Sequence, residues 1–479
     1  MESLINFDTF EEVKDANQKT MSFRLILTEK VKNDKKVFKA RLVCRGFEEE
    51  ALVDAESPTT RKQSVILFLT ITAMFKWQVK SLDIKAAFLQ SEQIDREIFL
   101  RPPRDIKKQG IIWRLKKPLY GLNDASRSWY FTLIKSLKEL GVKVTSFDKA
   151  MFYLRQDNKL QGMINVHVDD LLWSGTGKMS DLMKKFTEMY VLSKSEAGSL
   201  RYVGIDLSCS EGSIFMSQQS YSIEFSEAEN LVKNLPDSRV LDNDYLKAYQ
   251  SLVGKLNWLS CNTRPDIKFD VFLLSSTVNP TVGTLKSIKK VLRKMSKGPK
   301  HIQFPRLDVS KLEVLVYTDA AFGNLDEKVR SSKAFIVFIS DGERVCAVDW
   351  NTKKIDKVCT AANEAETYAL MFGSTFAESM RDDLCEILGY KSSDIPVVAF
   401  VDNKTLFQTC YSNTNVSNPS VKRLVAAIQE KISAGTISKV EFKRSSDMMA
   451  DVLTKKERVD VEKFAVCLEN GCIPEPSEK

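Results

Sequence analysis

Histidine is scarce in this sequence, since His167 and His301 are its two histidines among 479 residues. A histidine-rich metal site needs several imidazole ligands, and a Ser-His triad needs an imidazole base. Both kinds of site are therefore nearly excluded. Cysteine occurs at nine positions, but without a Cys-x-x-Cys motif or paired spacing. This pattern predicts reduced thiols in an intracellular compartment and argues against a disulfide framework or a zinc site.

Long apolar runs are also missing. No run approaches the length needed to cross a bilayer, and the first residues lack the basic region and apolar core of a secretory signal. We therefore expect an intracellular protein, in the cytoplasm or the nucleus, with no membrane partner. The 43% hydrophobic and 28% charged residues are typical of globular proteins. The net charge of +8 fits a polyanionic partner better than a membrane.

Two adjacent aspartates, Asp169 and Asp170, interrupt an otherwise apolar stretch over residues 163–173. Alternating apolar residues before them predict one strand, and residues 171–173 predict the start of a returning strand. The acids are thus expected at or near a hairpin turn. Asp is also common in ordinary surface turns, and that alternative stays open for the pair alone. Close like charges favour a bound cation, and magnesium held by carboxylates and substrate phosphates is the usual solution.

A third carboxylate, Asp83, lies in the segment 77–89, where a strand-like stretch leads into a more helical one. An acid at a strand end could meet the Asp169–Asp170 pair. Three carboxylates within a few ångströms of one another would form a two-metal site, which is a known route to phosphoryl transfer. The two segments together favour this interpretation, which neither supports alone.

The motifs around these acids resemble those of reverse transcriptases, in the style of copia-type LTR retrotransposons. Further segments are similar to the same family in the same order, from about residue 8 to residue 456. An ordered series of motifs is far more specific than any one of them. The matching segments are Lys39–Gly46, Ser57–Pro58, Leu82–Leu89, Leu115–Leu122 with Arg127, Trp129 and Tyr130, Val168–Asp170, Tyr249–Leu256 and Thr263–Ile267.

The resemblance implies an RNA-directed DNA polymerase with ribonuclease H activity. Asp83 and Asp169 would bridge two Mg²⁺ ions, with Asp170 supporting them and Mn²⁺ as an alternative metal. Two ions are likewise implied for the nuclease site. The implied partners are an RNA template, a DNA primer, an RNA–DNA hybrid and deoxynucleoside triphosphates.

Three residues are implied to contact the incoming nucleotide. Lys39 and Arg41 would cradle its triphosphate, although both could equally be plain surface cations. Phe88 lies five residues after Asp83, where the family carries an aromatic steric gate. Its ring would clash with a 2′ hydroxyl, so deoxynucleotides should be preferred. The alternative is that Phe88 is simply a core residue.

A second group of acids follows residue 311. Its members are far apart in sequence, and their contexts resemble those of the ribonuclease H part of the family: Asp319, Glu366, Asp402 and Asp451. Four such carboxylates around two Mg²⁺ ions can activate water to cut the RNA strand of a hybrid. Glu364 competes with Glu366, which we prefer because Ala365-Glu366 matches the family's Ala-Glu pair.

The predicted fold class is α+β, with a polymerase right hand followed by an α/β ribonuclease H-like domain. Residues 1–230 are expected to form fingers and palm, 231–310 a helical thumb-like connection, 311–456 the ribonuclease H-like domain, and 457–479 a C-terminal tail. For the third part the patterns predict strands at 312–319, 334–340 and 345–350, a helix at 363–388, a strand at 397–401, a helix at 421–433, a strand at 438–443 and a helical turn at 448–454.

A basic helix is predicted within 281–298. Leu285, Ile288, Leu292 and Met295 share one stripe of it, and lysines and arginines crowd the rest. The charged face could be merely solvated, or it could contact nucleic-acid phosphates.

Three departures from the family pattern stand out. His167 replaces a usual Tyr before the hairpin acids, Phe442 replaces a frequent His, and the loop 48–56 is short. No segment resembles a capsid-like, protease or integrase portion. These observations keep two alternatives open. One is a catalytically inactive or co-opted nucleic-acid-binding remnant of a retrotransposon, and the other is a nuclease with an inert polymerase region.

Overall fold

The computed structural model describes residues 1–32, 35–50, 53–106, 108–210, 212–221, 235–325, 329–412, 418–456 and 461–474. Its strands, numbered in chain order, are β1 Phe10–Lys14, β2 Thr20–Met21, β3 Phe23–Lys32, β4 Lys35–Cys44, β5 Lys80–Ile84, β6 Phe99–Leu100, β7 Ile111–Leu115, β8 Lys143–Val144, β9 Met151–Gln156, β10 Lys159–His167, β11 Asp170–Gly175, β12 Leu192–Ala197, β13 Leu200–Tyr202, β14 Ile205–Ser210, β15 Ser213–Ser217, β16 Ile302–Phe304, β17 Glu313–Leu325, β18 Arg330–Ser340, β19 Val345–Lys354, β20 Val397–Val401 and β21 Lys439–Phe442.

The described α-helices, numbered in the same way, are α1 Glu2–Asn6, α2 Lys62–Met74, α3 Ala125–Glu139, α4 Gly177–Glu188, α5 Asn243–Asn262, α6 Lys268–Ser275, α7 Val282–Lys297, α8 Ala362–Leu388, α9 Lys404–Tyr411, α10 Pro419–Ser433 and α11 Val461–Asn470. Short 3₁₀ turns include Ala87–Gln90 and Met449–Leu453. None of the helices in the described residues is both long and apolar enough to cross a membrane.

The chain divides into two compact units. The first contains residues 1–61, 80–157 and 161–197, and the second contains 62–79, 158–160 and 198–479. The boundary that we predict near residue 230 does not coincide with this division. Helix α2 and strands β13–β15 belong to the second unit, although their sequence lies before residue 230.

A six-stranded sheet organises the first unit, in the order β12-β5-β11-β10-β9-β8. The predicted hairpin is confirmed, because β10 and β11 pair with Ile164 opposite Trp173 and His167 opposite Asp170. Helices α3 and α4 cover one face of the sheet through a shared apolar core. Trp129 on α3 and Phe186 on α4 are 1% and 0% exposed, so both rings anchor this packing.

The first unit also contains a second sheet, in the order β1-β7-β6-β2, and the two-stranded hairpin β3–β4. The hairpin pairs Phe23 with Cys44 at its base. Alternate side chains of a strand point to opposite faces. Lys39 and Arg41 on β4 therefore share one face of this hairpin.

A five-stranded sheet organises the C-terminal part of the second unit, in the order β19-β18-β17-β20-β21. Strands β17, β18 and β19 are antiparallel neighbours, whereas β20 and β21 run parallel to β17. Helix α8 packs closely on this sheet. A Cβ atom added at Gly373 would lie 2.5 Å from Thr318 Cγ2, so a side chain there would push the helix away.

The strands and helices predicted between residues 312 and 454 are present, with one added α-helix among the residues described in this range. Helix α9 Lys404–Tyr411 lies between β20 and α10, and the sequence patterns do not indicate it. Its eight residues carry few buried apolar positions, with Leu406 and Cys410 among them. The Asp341-Gly342 turn signal is also correct, since Gly342 adopts a φ of +91° between β18 and β19.

The helices α5, α6 and α7 of the second unit share an apolar core. Helix α7 begins at a capping box formed by Thr281 and Thr284 and ends before Gly298. Its stripe is confirmed at Leu285 and Ile288, which are fully buried. Leu292 and Met295 continue the stripe as partly buried side chains.

Residues 461–470, which we expected within a C-terminal tail, form helix α11. Phe464, Ala465, Cys467 and Leu468 are buried in it. The three- and four-residue spacing of these apolar side chains gives one helical face to bury. Val345 N of β19 donates to the oxygen of Gly471, so the segment is tied to the five-stranded sheet. The expected tail is thus corrected to a packed helix over this range.

Candidate active sites

Pairing of β5 with β11 brings Asp83 and Asp170 together. The two residues are direct partners in an antiparallel register, so their side chains leave the same face of the sheet. Asp169 precedes Asp170 in the hairpin turn, and its backbone oxygen accepts a 3.0 Å hydrogen bond from Ile84 N. Asp83 therefore meets Asp169 and Asp170, which lie more than eighty residues later in the sequence, at one end of the sheet. We call Asp83, Asp169 and Asp170 the first acidic cluster.

The turn that carries Asp169 has an unfavourable backbone. His167 pairs with Asp170, so Val168 and Asp169 form a two-residue turn, and Val168 adopts a φ of +60°. A β-branched residue is strained in this left-handed region, which typically costs about 1–3 kcal/mol. The buried Trp129 supports the turn, because its Nε1 donates to Val168 O at 2.7 Å. Burial lowers the pKa of the neighbouring His167.

Charge repulsion is evident within the first acidic cluster. Burial, followed by the charges of Asp83 and Asp169, raises the pKa of Asp170 to about 6. Burial also raises the pKa of Asp169, while Lys39 opposes that shift. The Ser193 hydroxyl donates to Asp83 Oδ1. Carboxylate oxygens that repel one another are suitable ligands for a hard divalent cation, so these residues fit magnesium.

We expected the three carboxylates of the first cluster to lie within the distance of a shared ion pair, but they do not all lie that close together. Across the described part of the chain, the carboxylates whose oxygens all lie within 4.8 Å of one another are Asp319, Asp402 and Asp451. The β5–β11 register nevertheless fixes the backbone positions of Asp83 and Asp170. The carboxyl groups of these two residues are already close, because the charge of Asp83 and a side-chain hydrogen bond with it help to raise the pKa of Asp170.

The residues expected to contact a nucleotide lie around this cluster. Arg41 Nη1 is 3.4 Å from Thr28 Oγ1 on the β3–β4 hairpin, and the charge of Lys39 lowers the pKa of Asp169. Phe88 follows Asp83 in a 3₁₀ turn, and its ring centroid lies 4.8 Å from that of Tyr120. The side chain of Phe88 is partly exposed, unlike the fully buried Trp129.

Tyr120 is a residue that the sequence did not single out. Burial, and then the charges of Asp169 and Asp83, raise the pKa of its hydroxyl, whereas Arg41 opposes the shift. The only available signal was its place in the Leu115–Leu122 motif.

The backbone of Tyr120 is held by close chain contacts. Cys44 N on β4 donates to Tyr120 O at 2.7 Å. Gly121 has a φ of +91°, and a Cβ there would lie 2.1 Å from Cys44 O. Only glycine allows both this backbone angle and this approach. The motif is thereby attached to the strand that carries Lys39 and Arg41.

A second set of acids converges in the second unit. Asp319 lies on β17 and Asp402 follows β20, and these neighbouring parallel strands pair Tyr317 with Phe400. Both acids come two residues later, so they reach the same edge of the sheet. Asp451, in the Met449–Leu453 turn, completes the three carboxylates within 4.8 Å. With Glu366 they form the second acidic cluster.

Glu366 lies in the first turns of α8 and is 8% exposed. Burial, followed by the charges of Asp319 and Asp402, raises its pKa well above the usual range. Its Oε2 has no hydrogen-bond partner among the described residues. A buried carboxylate oxygen without a partner is costly, which fits a place for a divalent cation.

Glu364 is engaged elsewhere. Its Oε2 accepts hydrogen bonds from Thr360 N at 2.7 Å and from the Thr360 hydroxyl at 3.0 Å. Asn418 Nδ2 lies 3.5 Å from the same oxygen. These contacts close the turn before α8, so the geometry favours Glu366 as the member of the cluster.

Thr454 and Lys455, which follow Asp451 in the sequence, complete this site. The sequence suggested neither of them. The Thr454 hydroxyl donates to Asp319 Oδ2. Lys455 Nζ lies 2.7 Å from Asp451 Oδ1 and 3.5 Å from Asp319 Oδ1. Both belong to the segment Met448–Lys455, which contains Asp451 and was the available signal. Phe442, at the end of β21, offers no group that could exchange a proton.

Comparison with known proteins supports the resemblance seen in the motifs. Residues 7–238 match the family model described as reverse transcriptase (RNA-dependent DNA polymerase). This range includes the whole first acidic cluster. The chain is related to copia-type retrotransposon Pol polyproteins. The predicted family is thus confirmed.

Curated relatives of this copia-type chain include plant polyproteins. The Retrovirus-related Pol polyprotein from transposon RE1 of Arabidopsis thaliana is 26% identical over 458 residues, which are 90% of this chain and 30% of that protein. The corresponding protein from transposon RE2 of the same plant is 27% identical over 92% of this chain and 31% of its own length. The one from transposon TNT 1-94 of Nicotiana tabacum is 27% identical over 69% of this chain. The chain spans about a third of the length of these relatives.

Proposed function

We propose that this copia-type chain is an RNA-directed DNA polymerase of a retrotransposon with a right-hand polymerase fold. Fingers and palm would lie within residues 1–230, and 231–310 would serve as a thumb-like connection. The observation that carries the proposal is the register of β5 against β11, which places Asp83 opposite Asp170 beside the Asp169 turn. The match of residues 7–238 to the reverse transcriptase family supports it.

Divalent ions held by Asp83 and Asp169 would supply the positive charge that activates the primer 3′ hydroxyl and neutralises the triphosphate. Asp170 keeps its position through the β5–β11 pairing and supports the ion-binding acids. Lys39 and Arg41 share one face of the β3–β4 hairpin, where they would orient the triphosphate. Phe88 would close the sugar pocket against a 2′ hydroxyl.

Primer extension on an RNA template with Mg²⁺ tests the polymerase proposal. We expect Asp169→Asn to reduce deoxynucleotide incorporation by at least about 10²-fold, since it removes a charge that acts on the reacting groups. Asp181→Asn is the matched control, because Asp181 is an exposed acid on α4 and should leave the rate unchanged. Equal incorporation by wild type and Asp169→Asn would reject the proposal.

We further propose that residues 311–456 form a ribonuclease H-like domain that cleaves the RNA strand of RNA–DNA hybrids. Three antiparallel strands joined to two parallel strands, with α8 packed on the sheet, match the order expected for that fold. The convergence of Asp319, Asp402 and Asp451 within 4.8 Å supports the nuclease site. Glu366 and these acids fit two Mg²⁺ ions, or Mn²⁺ in their place.

Cleavage of a labelled hybrid tests the second activity. Asp402→Asn and Glu366→Gln should each abolish cleavage, whereas Glu430→Gln, at an exposed position of α10, should not. Hybrid binding without either synthesis or cleavage would instead support a co-opted binding protein. Cleavage without extension would support a nuclease with an inert polymerase region.

A further inference from the structure

Lys455 directs its ammonium into the second acidic cluster. Its Nζ atom lies 2.7 Å from Asp451 Oδ1 and 3.5 Å from Asp319 Oδ1. Asp451 and Lys455 are four residues apart around a short helical turn, which places both side chains on one side. The hydroxyl of Thr454 contacts the other oxygen of Asp319. One cation therefore bridges two acids that come from different elements.

The environment of Lys455 explains why a cation is needed there. Asp319 is fully buried, and Asp451 and Glu366 are each 8% exposed. Burial raises the pKa of each of these carboxyl groups, and the charge of Lys455 opposes the shift in all three. Without Lys455 or a metal, the cluster would gather several carboxylates around no positive charge. Such an arrangement is strongly destabilising.

We propose that Lys455 takes the place of one divalent cation whenever the second acidic cluster holds no metal, and that its ammonium must leave Asp319 before a full set of ions can bind. This inference rests on the proposed ribonuclease H site. Magnesium needs carboxylate oxygens at about 2.0–2.1 Å, so an oxygen engaged by the ammonium is poorly available to it. The ammonium also repels the incoming ion. Lys455 is thus a positioning residue that stabilises these acids when no metal is bound and weakens their affinity for metal.

A consequence concerns the substrate. A scissile phosphate adds negative charge beside the cluster and offers the displaced ammonium an anionic partner. Full metal occupancy would then depend on a bound hybrid, and the free enzyme would hold fewer ions. By linkage, metal and hybrid would each increase the affinity of the chain for the other.

Metal binding by the full-length chain tests the role of Lys455. We would use an Asp169→Asn background, so that Mn²⁺ at the first acidic cluster contributes less to the signal. Lys455→Met is compared with Lys455→Arg and with Lys456→Met, whose lysine is the exposed neighbour. Mn²⁺ affinity is measured by titration calorimetry, and melting temperature is measured in EDTA and in Mn²⁺.

We expect Lys455→Met to bind Mn²⁺ on the order of tenfold more tightly than its parent, because a repelling charge has been removed. Its melting temperature in EDTA should be lower than that of its parent, and Mn²⁺ should raise its melting temperature by more. Lys455→Arg should keep the weak affinity and the stability in EDTA, and Lys456→Met should resemble the parent. A merely structural lysine would lower the melting temperature without tightening metal binding.

Unchanged or weaker Mn²⁺ affinity in Lys455→Met would overturn the proposal, as would an equal effect of Lys456→Met. The readout is separate from catalysis. Hybrid cleavage by the chain with all four acids intact tests the ribonuclease H proposal. If that chain does not cleave the hybrid, the Mn²⁺ measurements still decide the role of Lys455. The two failures are therefore distinguishable.

Discussion

At the scale of single residues, Phe88 and Tyr120 form an aromatic wall next to the first acidic cluster. Their ring centroids are 4.8 Å apart, and Asp169 and Asp83 influence the hydroxyl of Tyr120. Phe88 is partly exposed and also packs against buried apolar clusters of the first unit. A wall of this kind can exclude a sugar substituent by its shape.

Replacing Phe88 should change sugar selection. Phe88→Val shortens the side chain, so we expect ribonucleotide incorporation to rise by about 10–100-fold relative to deoxynucleotides. Single-nucleotide extension assays with each nucleotide type give this ratio. Phe88→Tyr keeps the ring and is the control, which should retain the preference. An unchanged ratio in Phe88→Val would show that the ring does not contact the sugar.

Asp170 should make the stability of the metal-free protein depend on pH. Its pKa is raised from 3.8 to about 6, so the folded chain holds this proton more tightly than the unfolded chain. The stabilisation is present at low pH and is lost as the pH rises through 6. After allowance for solvent screening, we expect a loss of about 1 kcal/mol between pH 5 and pH 7.

The measurement is urea unfolding in EDTA at both pH values, with Asp170→Asn as the comparison. The variant has no ionisable carboxyl at this position, so it should lack this part of the pH dependence. Parallel behaviour of the two proteins would contradict the raised pKa.

At the scale of elements, α11 shows that a segment without a recognised motif can pack into the core. Phe464 is 1% exposed, while Val466, two residues later, is 42% exposed. Phe464→Ala should lower the free energy of unfolding by about 3–5 kcal/mol, because it leaves a cavity in the core. Val466→Ala should change it by less than about 0.5 kcal/mol. Chemical denaturation of both variants measures the difference, and equal effects would mean that α11 does not pack as described.

At the scale of the whole molecule, the net charge of +8 includes exposed cations on α7. Lys290, Arg293 and Lys297 are exposed and are spaced along one face. Lys286 and Lys294 instead pair with Asp237 and Asp270. Among the ion pairs of the described residues, none uses the three exposed cations. This face therefore has charge available for a polyanion.

Neutralising this face should weaken hybrid binding and its salt dependence. Changing Lys290, Arg293 and Lys297 together to Gln should reduce the slope of log affinity against log salt by about 2–3, because three phosphate contacts would be lost. Lys286→Gln with Lys294→Gln is the matched control on the same helix and should change the slope less. Fluorescence anisotropy at several salt concentrations gives both slopes. An unchanged slope would mean that the face is merely solvated.

Much of the fold was accessible from local patterns. The alternation before Asp169 and the apolar run after Asp170 predicted the β10–β11 hairpin, because side chains of a half-buried strand have a period of two. The strands and helices after residue 311 were predicted in the correct order for the same reason. Helix α9 was not predicted, because a short helix with few buried residues gives a weak periodic signal. Helix α11 was not predicted either, although its buried residues have helical spacing.

The sequence by itself determined which acids could be catalytic, since their motifs and local periodicity are properties of the chain alone. Only the tertiary structure decided how they meet. The β5–β11 register and the ammonium of Lys455 beside Asp319 both depend on contacts between distant segments. Local propensity cannot encode such contacts, because they arise when separate elements bury their apolar faces against one another.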